Sequence, residues 1–313
     1  MDNSIKREKS SLSRSVIIGK KKYKKSDIVY GLLFIAPLVI GLMTFYIIPM
    51  FRSLFYAFTE WGMFGGWTWT GLDNFKKLIE DPQLFGAIKN TLKYAVLVVP
   101  LTIIIAILIA TLLNSKIKGV GIYRVLYFLP AVTMTSAVAM IWRWMFNMEY
   151  GIINQGLDRI GITGPNWLTD PKVAIFSLVI IGVWSSLGTS MIIFLAGLQG
   201  IPTMYYEAAE IDGAGTLGKF FKITIPLLSP TIFFSLVTSL ISALQVYDLI
   251  YMMFSQSNPA LPSVQSLSYL FYKHGFILND KGYASAIAIV LLCLTLVVTI
   301  VNFTLQKKWV HYE

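Results

Sequence analysis

One cysteine and two histidines in 313 residues leave little for thiol or imidazole chemistry. Cys293 lies inside an apolar run without a partner, which excludes a disulfide framework and a cysteine metal site, and His274 and His311 cannot form a metal site by themselves. Charge is scarce too. Only 13% of residues are charged, against about 25% in soluble domains. With 56% hydrophobic residues and a mean hydropathy of +0.66, most of the chain belongs in lipid. Six spans of bilayer length would use roughly 140 positions. The remainder is loops and one basic stretch, which excludes a catalytic domain of any size among these residues.

The apolar runs lie at about 28 to 51, 92 to 114, 125 to 146, 173 to 198, 230 to 254 and 283 to 305. Each is read as a helix, because lipid offers no partner for an open backbone and the alternation of a barrel strand is missing. The fold class is therefore an all-α integral membrane protein with six transmembrane helices. Pro37, Pro49, Pro100 and Pro130 predict kinks.

The net charge of +10 depends on its location. Lys6, Arg7, Lys9, Arg14, Lys20, Lys21, Lys22, Lys24 and Lys25 precede the first run, against only Asp2 and Glu8. By the positive-inside rule this N-terminal tail, residues 1–27, is cytoplasmic. The 115 to 124 connection carries Lys116, Lys118 and Arg124 without an acid, whereas the connection at 52 to 91 balances four bases with four acids. Six spans from 28 to 305 then return a short tail, 306–313, with Lys307 and Lys308, to the cytoplasm. The basic tail reads as a topology signal and lipid-headgroup contact, not as a nucleic-acid site. A secretory signal peptide fits poorly, since the first run is about 24 residues, contains two prolines and shows no small-residue cleavage site.

Outside, residues 71 to 91 read as short surface helices, with Asp81-Pro82 as a helix entry. Residues 147 to 172 read as an ordered loop, and Trp61, Trp67, Trp69 and Trp167 suit the interface belt. Parity places 199 to 229 inside the cell, yet it carries Glu207, Glu210 and Asp212 against Lys219 and Lys222. Pro202-Thr203 starts a helix, Gly213 and Gly215 end it, and a second helix runs from about Leu217 to near Pro226. The GAGTLGK run at 213 to 219 nearly matches G-x-x-x-x-G-K-[ST], but Phe220 stands where a hydroxyl would hold Mg²⁺ and no strand precedes the glycines.

The run Glu207-Ala208-Ala209, Asp212-Gly213-Ala214, Phe220, Ile223 and Pro226 resembles the cytoplasmic EAA loop of permease subunits of binding-protein-dependent ABC importers. The resemblance extends over most of the chain. It includes GLDNF at 71 to 75, Asn90-Thr91, Tyr123-Arg124 with Phe128-Leu129-Pro130, Gly151 with Asn154, Asn166-Trp167-Leu168, and Leu195-Ala196-Gly197-Leu198-Gln199 with Ile201-Pro202. Together these are similar to the carbohydrate branch. The resemblance implies the type I importer permease fold in a bacterial plasma (inner) membrane. Its implied partners are a second homologous permease, two copies of a cytoplasmic ABC ATPase, an extracytoplasmic solute-binding protein and membrane lipids. It also implies that ATP and Mg are bound by the partner ATPase, with no cofactor on this non-catalytic chain. Carried over residue by residue, Glu207, Ala208, Ala209, Asp212, Gly213, Phe220, Ile223 and Pro226 are the ATPase-coupling residues. Ser255 to Pro262 departs from the family's glycine-rich external turn.

A sugar's path needs groups that replace its water. Ser235, Ser239 and Ser242 fall within about 60° at 100° per residue, beside Thr238 and Gln245. Trp184, Ser185 and Thr189 form a comparable cluster with Gly182, Ser186 and Ser190. Small and hydroxylated residues also serve close helix packing in membranes, and both readings stand. Asp248, about 140° from Ser235 on a continuous helix, is expected to be hydrogen-bonded by Tyr247, Tyr251 or a neighbouring helix. An ion-coupled secondary carrier using Asp248, an importer of a polyol or glycerol phosphate ester, and a substrate-free scaffold are the alternatives.

Overall fold

The computed structural model describes residues 15–18, 21–61, 66–115 and 118–311. Among the basic N-terminal residues, Lys6, Arg7, Lys9, Arg14 and Lys20 lie outside these, as does Lys116. The chain divides into two compact units, Met1–Tyr56 and Ala57–Glu313.

The first unit holds a short antiparallel hairpin, β1 (Ser15–Ile18) with β2 (Lys21–Lys24), and a long apolar helix. The helix is α1 (Lys25–Leu42), a π turn at Met43–Ile47, and α2 (Ile48–Tyr56). The π turn immediately precedes Pro49. A proline in a helix removes one hydrogen bond and crowds the carbonyl four residues back, and one wider turn relieves that crowding.

The second unit begins with a hairpin of β3 (Thr59–Trp61) and β4 (Trp67–Trp69), which the apolar-run analysis missed. Asn74, on α3 (Asp73–Glu80), closes it by donating from Nδ2 to the Ala57 carbonyl at 3.0 Å and the Thr59 carbonyl at 2.9 Å. Helix α4 (Pro82–Leu113) follows. Asp81 accepts from the Gln83 amide at 2.8 Å, and Pro82 fills the first turn, as expected for a capped start. Residues 82 to 91 are the first turns of this 32-residue helix, not a separate surface helix. No breaker separates them from the apolar run, and Asn90 and Thr91 are satisfied without ending the helix. The Asn90 side chain donates to the Pro262 and Gln265 carbonyls, while the Thr91 hydroxyl donates to Ala87 and accepts from the Leu267 amide.

The third apolar run is broken. Helices α5 (Val120–Val132) and α6 (Thr135–Met145) meet at 100° across an extended Thr133-Met134, sharper than the kink expected from Pro130. After α7 (Ile152–Arg159), helix α8 (Ala174–Gln199) is continuous and lies at the centre, packed against α4, α5 and α12 (Ser229–Leu244). Its glycines permit this. A Cβ on Gly188 would collide with the α5 backbone at Tyr127 and Phe128, and one on Gly182 with the Tyr94 hydroxyl.

Beyond α12 come α13 (Asp248–Met253), α14 (Leu261–Val264), α15 (Leu267–Tyr272), a π turn at Lys273–Ile277 and α16 (Lys281–Gln306). The C-terminal segment returns to α12: the His311 amide donates to Ser229 Oγ at 2.9 Å, and Phe233 meets Phe303 and Trp309 edge-on. One core joins α4, α6, α8 and the outer loops, and a second joins α3, the start of α4, α15 and the start of α16.

The chain is helical with two small hairpins. Among the described residues four helices are long and apolar enough to cross a membrane: Ile28–Tyr56, Pro82–Leu113, Ala174–Gln199 and Lys281–Gln306. The bent pairs Val120–Val132 with Thr135–Met145 and Thr216–Leu227 with Ser229–Leu244 raise the number to six if each is one span.

Candidate functional site

Two features are candidates for function, a cavity between α4, α8 and α12 and a helix-turn-helix knob between α8 and α12. The cavity measures about 310 Å³. Tyr94, Val98 and Thr102 reach it from α4 at helical spacing, Ser185, Ser186, Thr189 and Ser190 from α8, and Ser235, Thr238, Ser239 and Ser242 from α12. No lining residue is charged. A second cavity of about 220 Å³ shares Tyr94, Ala131, Ser185, Ser186 and Val246 with it, extending the space towards Thr133, Thr135 and Leu249.

The hydroxyls of Thr102 and Ser235 are buried and have no hydrogen-bond partner among the described residues. Burying an unsatisfied hydroxyl costs about 1–3 kcal/mol. Close helix packing alone would select alanine or valine at such positions. Two orphan hydroxyls facing one cavity are therefore the arrangement expected where something polar enters it. Thr238, by contrast, is satisfied by the Phe234 and Ser235 carbonyls of its own helix.

Of the residues expected along a pathway, Ser185, Thr189, Ser235, Ser239 and Ser242 line this cavity and two do not. Trp184 points away, its ring edge-on to Trp142 at 5.7 Å in the core. Gln245 lies beyond the end of α12 and is exposed. Tyr94 and Thr102, which the sequence reading passed over, are on the wall.

The knob starts with α9 (Thr203–Ile211) and turns at Gly213, whose φ is +76°. The Gly213 amide donates to the Glu210 carbonyl and the Ala214 amide to the Ala209 carbonyl, the paired bonds of a glycine helix stop. The second arm is α10 (Thr216–Lys219), a π turn at Phe220–Thr224 and α11 (Ile225–Leu227), which meets α12 at 65°. This matches the expected helix, glycine turn and helix. The Tyr206 hydroxyl and Thr224 Oγ1 lie 3.0 Å apart, and Lys219 meets Glu210 at 3.4 Å, so the two arms are held together. Glu207, Ala208 and Asp212 are exposed, and Ile211 is 87% exposed. Ala209, Phe220, Ile223 and Pro226 are half-buried between the arms and the body. Under the knob an apolar groove of about 620 Å³ runs between Leu108, Leu112, Leu198, Phe220 and Phe221.

The 147 to 172 loop is ordered from inside. Trp167 Nε1 donates to Asn154 Oδ1 at 2.7 Å, and Asn154 Nδ2 donates to the Met148 and Pro165 carbonyls. Ser177 holds the Trp167 carbonyl, and the indole packs on Phe146. Trp167 is thus a staple of the loop and not a headgroup anchor. Asn154→Leu would leave the indole N–H and two carbonyls unpaired. It is expected to destabilise the protein by roughly 2–3 kcal/mol, read as a lowered Tm in detergent.

Asp248 is exposed and makes no side-chain hydrogen bond among the described residues, contrary to the structural role expected for it. The expectation assumed one continuous helix. α12 ends at Leu244 and α13 begins at Asp248, and between them Ser266 Oγ donates to the Val246 carbonyl at 2.6 Å. Further along, the His274 ring lies tilted against Tyr283 at 4.6 Å, and burial together with the Lys273 charge lowers its pKa.

An uncharged hydroxyl-lined cavity among long apolar helices, joined to an exposed helix-turn-helix, fits a membrane transport subunit. Residues 99–311 match the family described as binding-protein-dependent transport system inner membrane component, and the chain belongs to that family. It is 39% identical over 297 residues to the probable ABC transporter permease protein YesP of Bacillus subtilis (strain 168), covering 94% of this chain and 96% of that protein. It is 34% identical to the arabinooligosaccharides transport system permease protein AraP of the same organism, over 92% of this chain and 91% of that one. Its fold resembles a chain in the crystal structure of a bacterial alginate ABC transporter in complex with an alginate pentasaccharide-bound periplasmic protein. That match has a TM-score of 0.79 at 23% identity, covering 91% and 95% of the two chains.

Proposed function

We propose that this chain is one of two permease subunits of an ATP-driven importer, forming half of the pathway for a sugar or oligosaccharide delivered by an extracytoplasmic solute-binding protein. The observation that carries the reading is the uncharged cavity with two orphan hydroxyls, Thr102 and Ser235, beside Ser185, Thr189, Ser239 and Ser242. Hydroxyls donate and accept equally well, so they replace a sugar's water without requiring a charge. Relatives named for arabinooligosaccharides, lactose and trehalose/maltose transport support the substrate class.

In this reading six spans cross a bacterial plasma membrane with both termini cytoplasmic, and the knob meets the ATPase. Glu207, Ala208, Ala209, Asp212 and Gly213 form the contact, while Phe220, Ile223 and Pro226 carry its motion into α12. ATP and Mg are bound by that partner. The bonds at Tyr206–Thr224 and Glu210–Lys219 make the knob a stiff unit, so displacement by the ATPase turns α12, and with it one cavity wall. The test is gentle purification from the native cells with stoichiometry of everything that stays bound. One second permease and two ATPase copies are expected. The chain alone, or with only copies of itself in several mild detergents, would overturn the reading.

A further inference from the structure

The function proposed above leaves one feature unused. Val246 belongs to the cavity wall, and the next residue, Tyr247, starts a run of packed aromatic rings. Tyr247 lies 4.7 Å from Tyr272 and 5.6 Å from Tyr251; Tyr272 lies 5.1 Å from Tyr251 and stacks on Phe276 at 5.4 Å and 19°. The run leads outward. Tyr247 and Tyr272 are half-buried, Tyr251 is 41% exposed and Phe276 69% exposed. The opposite face of α13, Leu249, Ile250 and Met253, is buried where that helix packs on α6, which turns Tyr251 and Asp248 away from the core.

The rings are held in place from behind. Ser266 fixes the Val246 carbonyl and caps α15 by accepting from the Tyr269 amide at 3.1 Å, so the strand of backbone carrying Tyr247 and the helix carrying Tyr272 are tied at one residue. Beside the rings stand two exposed polar groups, the unpaired Asp248 carboxylate and the Gln245 amide. A carboxylate facing hydrocarbon costs about 2.5–3.5 kcal/mol, so this face is not a lipid surface. Aromatic faces next to a carboxylate and an amide suit a pyranose or furanose ring: its C–H face lies on the aromatic ring while its hydroxyls donate to the carboxylate. The Asp248 carboxylate directly follows Tyr247 in the chain. Lys273, the nearest basic residue in sequence, is half-buried and donates to Gln83 Oε1 at 3.1 Å. A carboxylated sugar would meet Asp248 with like charge.

We propose that Tyr247, Asp248, Tyr251, Tyr272 and Phe276 form an outer saccharide-contact site that takes a neutral sugar ring on its way into the cavity. The inference rests on the sugar-importer reading. Its test is uptake by cells carrying the complete system, with radiolabelled maltotriose, lactose, arabinotriose and digalacturonate as probes.

For each neutral sugar that the wild type imports, the double variant Tyr251→Ala with Phe276→Ala is expected to raise the half-saturating concentration about tenfold and change the maximal rate less than twofold. Tyr251→Phe, which keeps the ring, should restore the wild-type value. Asp248→Asn should improve any uptake of digalacturonate relative to the neutral probes. Unchanged half-saturation in the alanine variant overturns this site while leaving the importer reading intact. Loss of the second permease from the purified alanine variant would make the rings a subunit contact and overturn it likewise. A wild type that imports only digalacturonate would overturn the neutral class. If no saccharide is imported and none stimulates ATP hydrolysis by the purified complex, the importer reading fails first and this inference with it.

Discussion

Glu207→Lys is expected to abolish import while leaving the permease folded and inserted. Glu207 is exposed on α9 and enters no hydrogen bond or ion pair among the described residues, so its replacement removes none of the contacts seen to hold the knob together. Exposed substitutions of this kind stay within about 0.5 kcal/mol of wild-type stability. Across a protein interface the balance is different, because placing like charges together costs several kcal/mol. At 1.4 kcal/mol per factor of ten, that is enough to empty the proposed ATPase contact at cellular concentrations. Glu210→Lys is the contrast. It breaks the pair between exposed Glu210 and the mostly covered Lys219, a loss of about 1 kcal/mol, and should leave most uptake in place. The measurements are sugar uptake, Tm of the purified subunit and the amount of ATPase retained on purification. Normal uptake in the Glu207 variant would disprove the assignment of the knob to coupling.

The knob is also the part of the molecule most legible in sequence. Its architecture follows from local chemistry: Pro202 at the entry, Gly213 at a positive φ, and no apolar run long enough to pull it into lipid. The apolar cores of Ile28–Tyr56, Ala174–Gln199 and Lys281–Gln306 are equally legible, since length and hydropathy decide them. What was not legible depended on contacts between distant segments. The 100° break after Val132 and the end of α12 at Leu244 interrupt apolar runs in which hydropathy shows no gap. Just past the end of α12, the Val246 carbonyl is held by Ser266, twenty residues further along the chain.

That break explains two displaced residues. A helical wheel continued past Leu244 misplaces Gln245 and Asp248, because the helix stops there and a new one starts only at Asp248. Trp184 failed for the opposite reason. Its helix is continuous, but adjacent residues point about 100° apart, and a tryptophan next to Ser185 faces a different neighbour. Several signature positions turn out to be staples: Asn74 closes the β3–β4 hairpin, Asn90 and Thr91 bind the 262 to 267 backbone, and Asn154 holds Trp167. Each side chain satisfies backbone or indole groups of another segment, fully buried at Asn74 and Thr91 and partly so at Asn90 and Asn154, which gives these residues a structural reason independent of substrate.

The cavity permits a test in which stability and transport move in opposite directions. Ser235→Phe places a ring in a space of about 310 Å³ and is expected to reduce uptake to background. Alone, that result could come from overpacking against α4 and α8, which itself costs about 1–3 kcal/mol. Thr102→Val separates the two causes. It preserves shape and removes an orphan hydroxyl, so the folded protein should be as stable as wild type or more so, with an unchanged or raised Tm. If that hydroxyl meets the sugar, the same variant loses a hydrogen bond of about 0.5–1.5 kcal/mol, a fall in apparent affinity of about two- to tenfold. A helix-packing hydroxyl predicts the first effect without the second. Raised stability together with weakened uptake therefore assigns Thr102 to the path of the sugar, and wild-type uptake in the valine variant would assign it to packing.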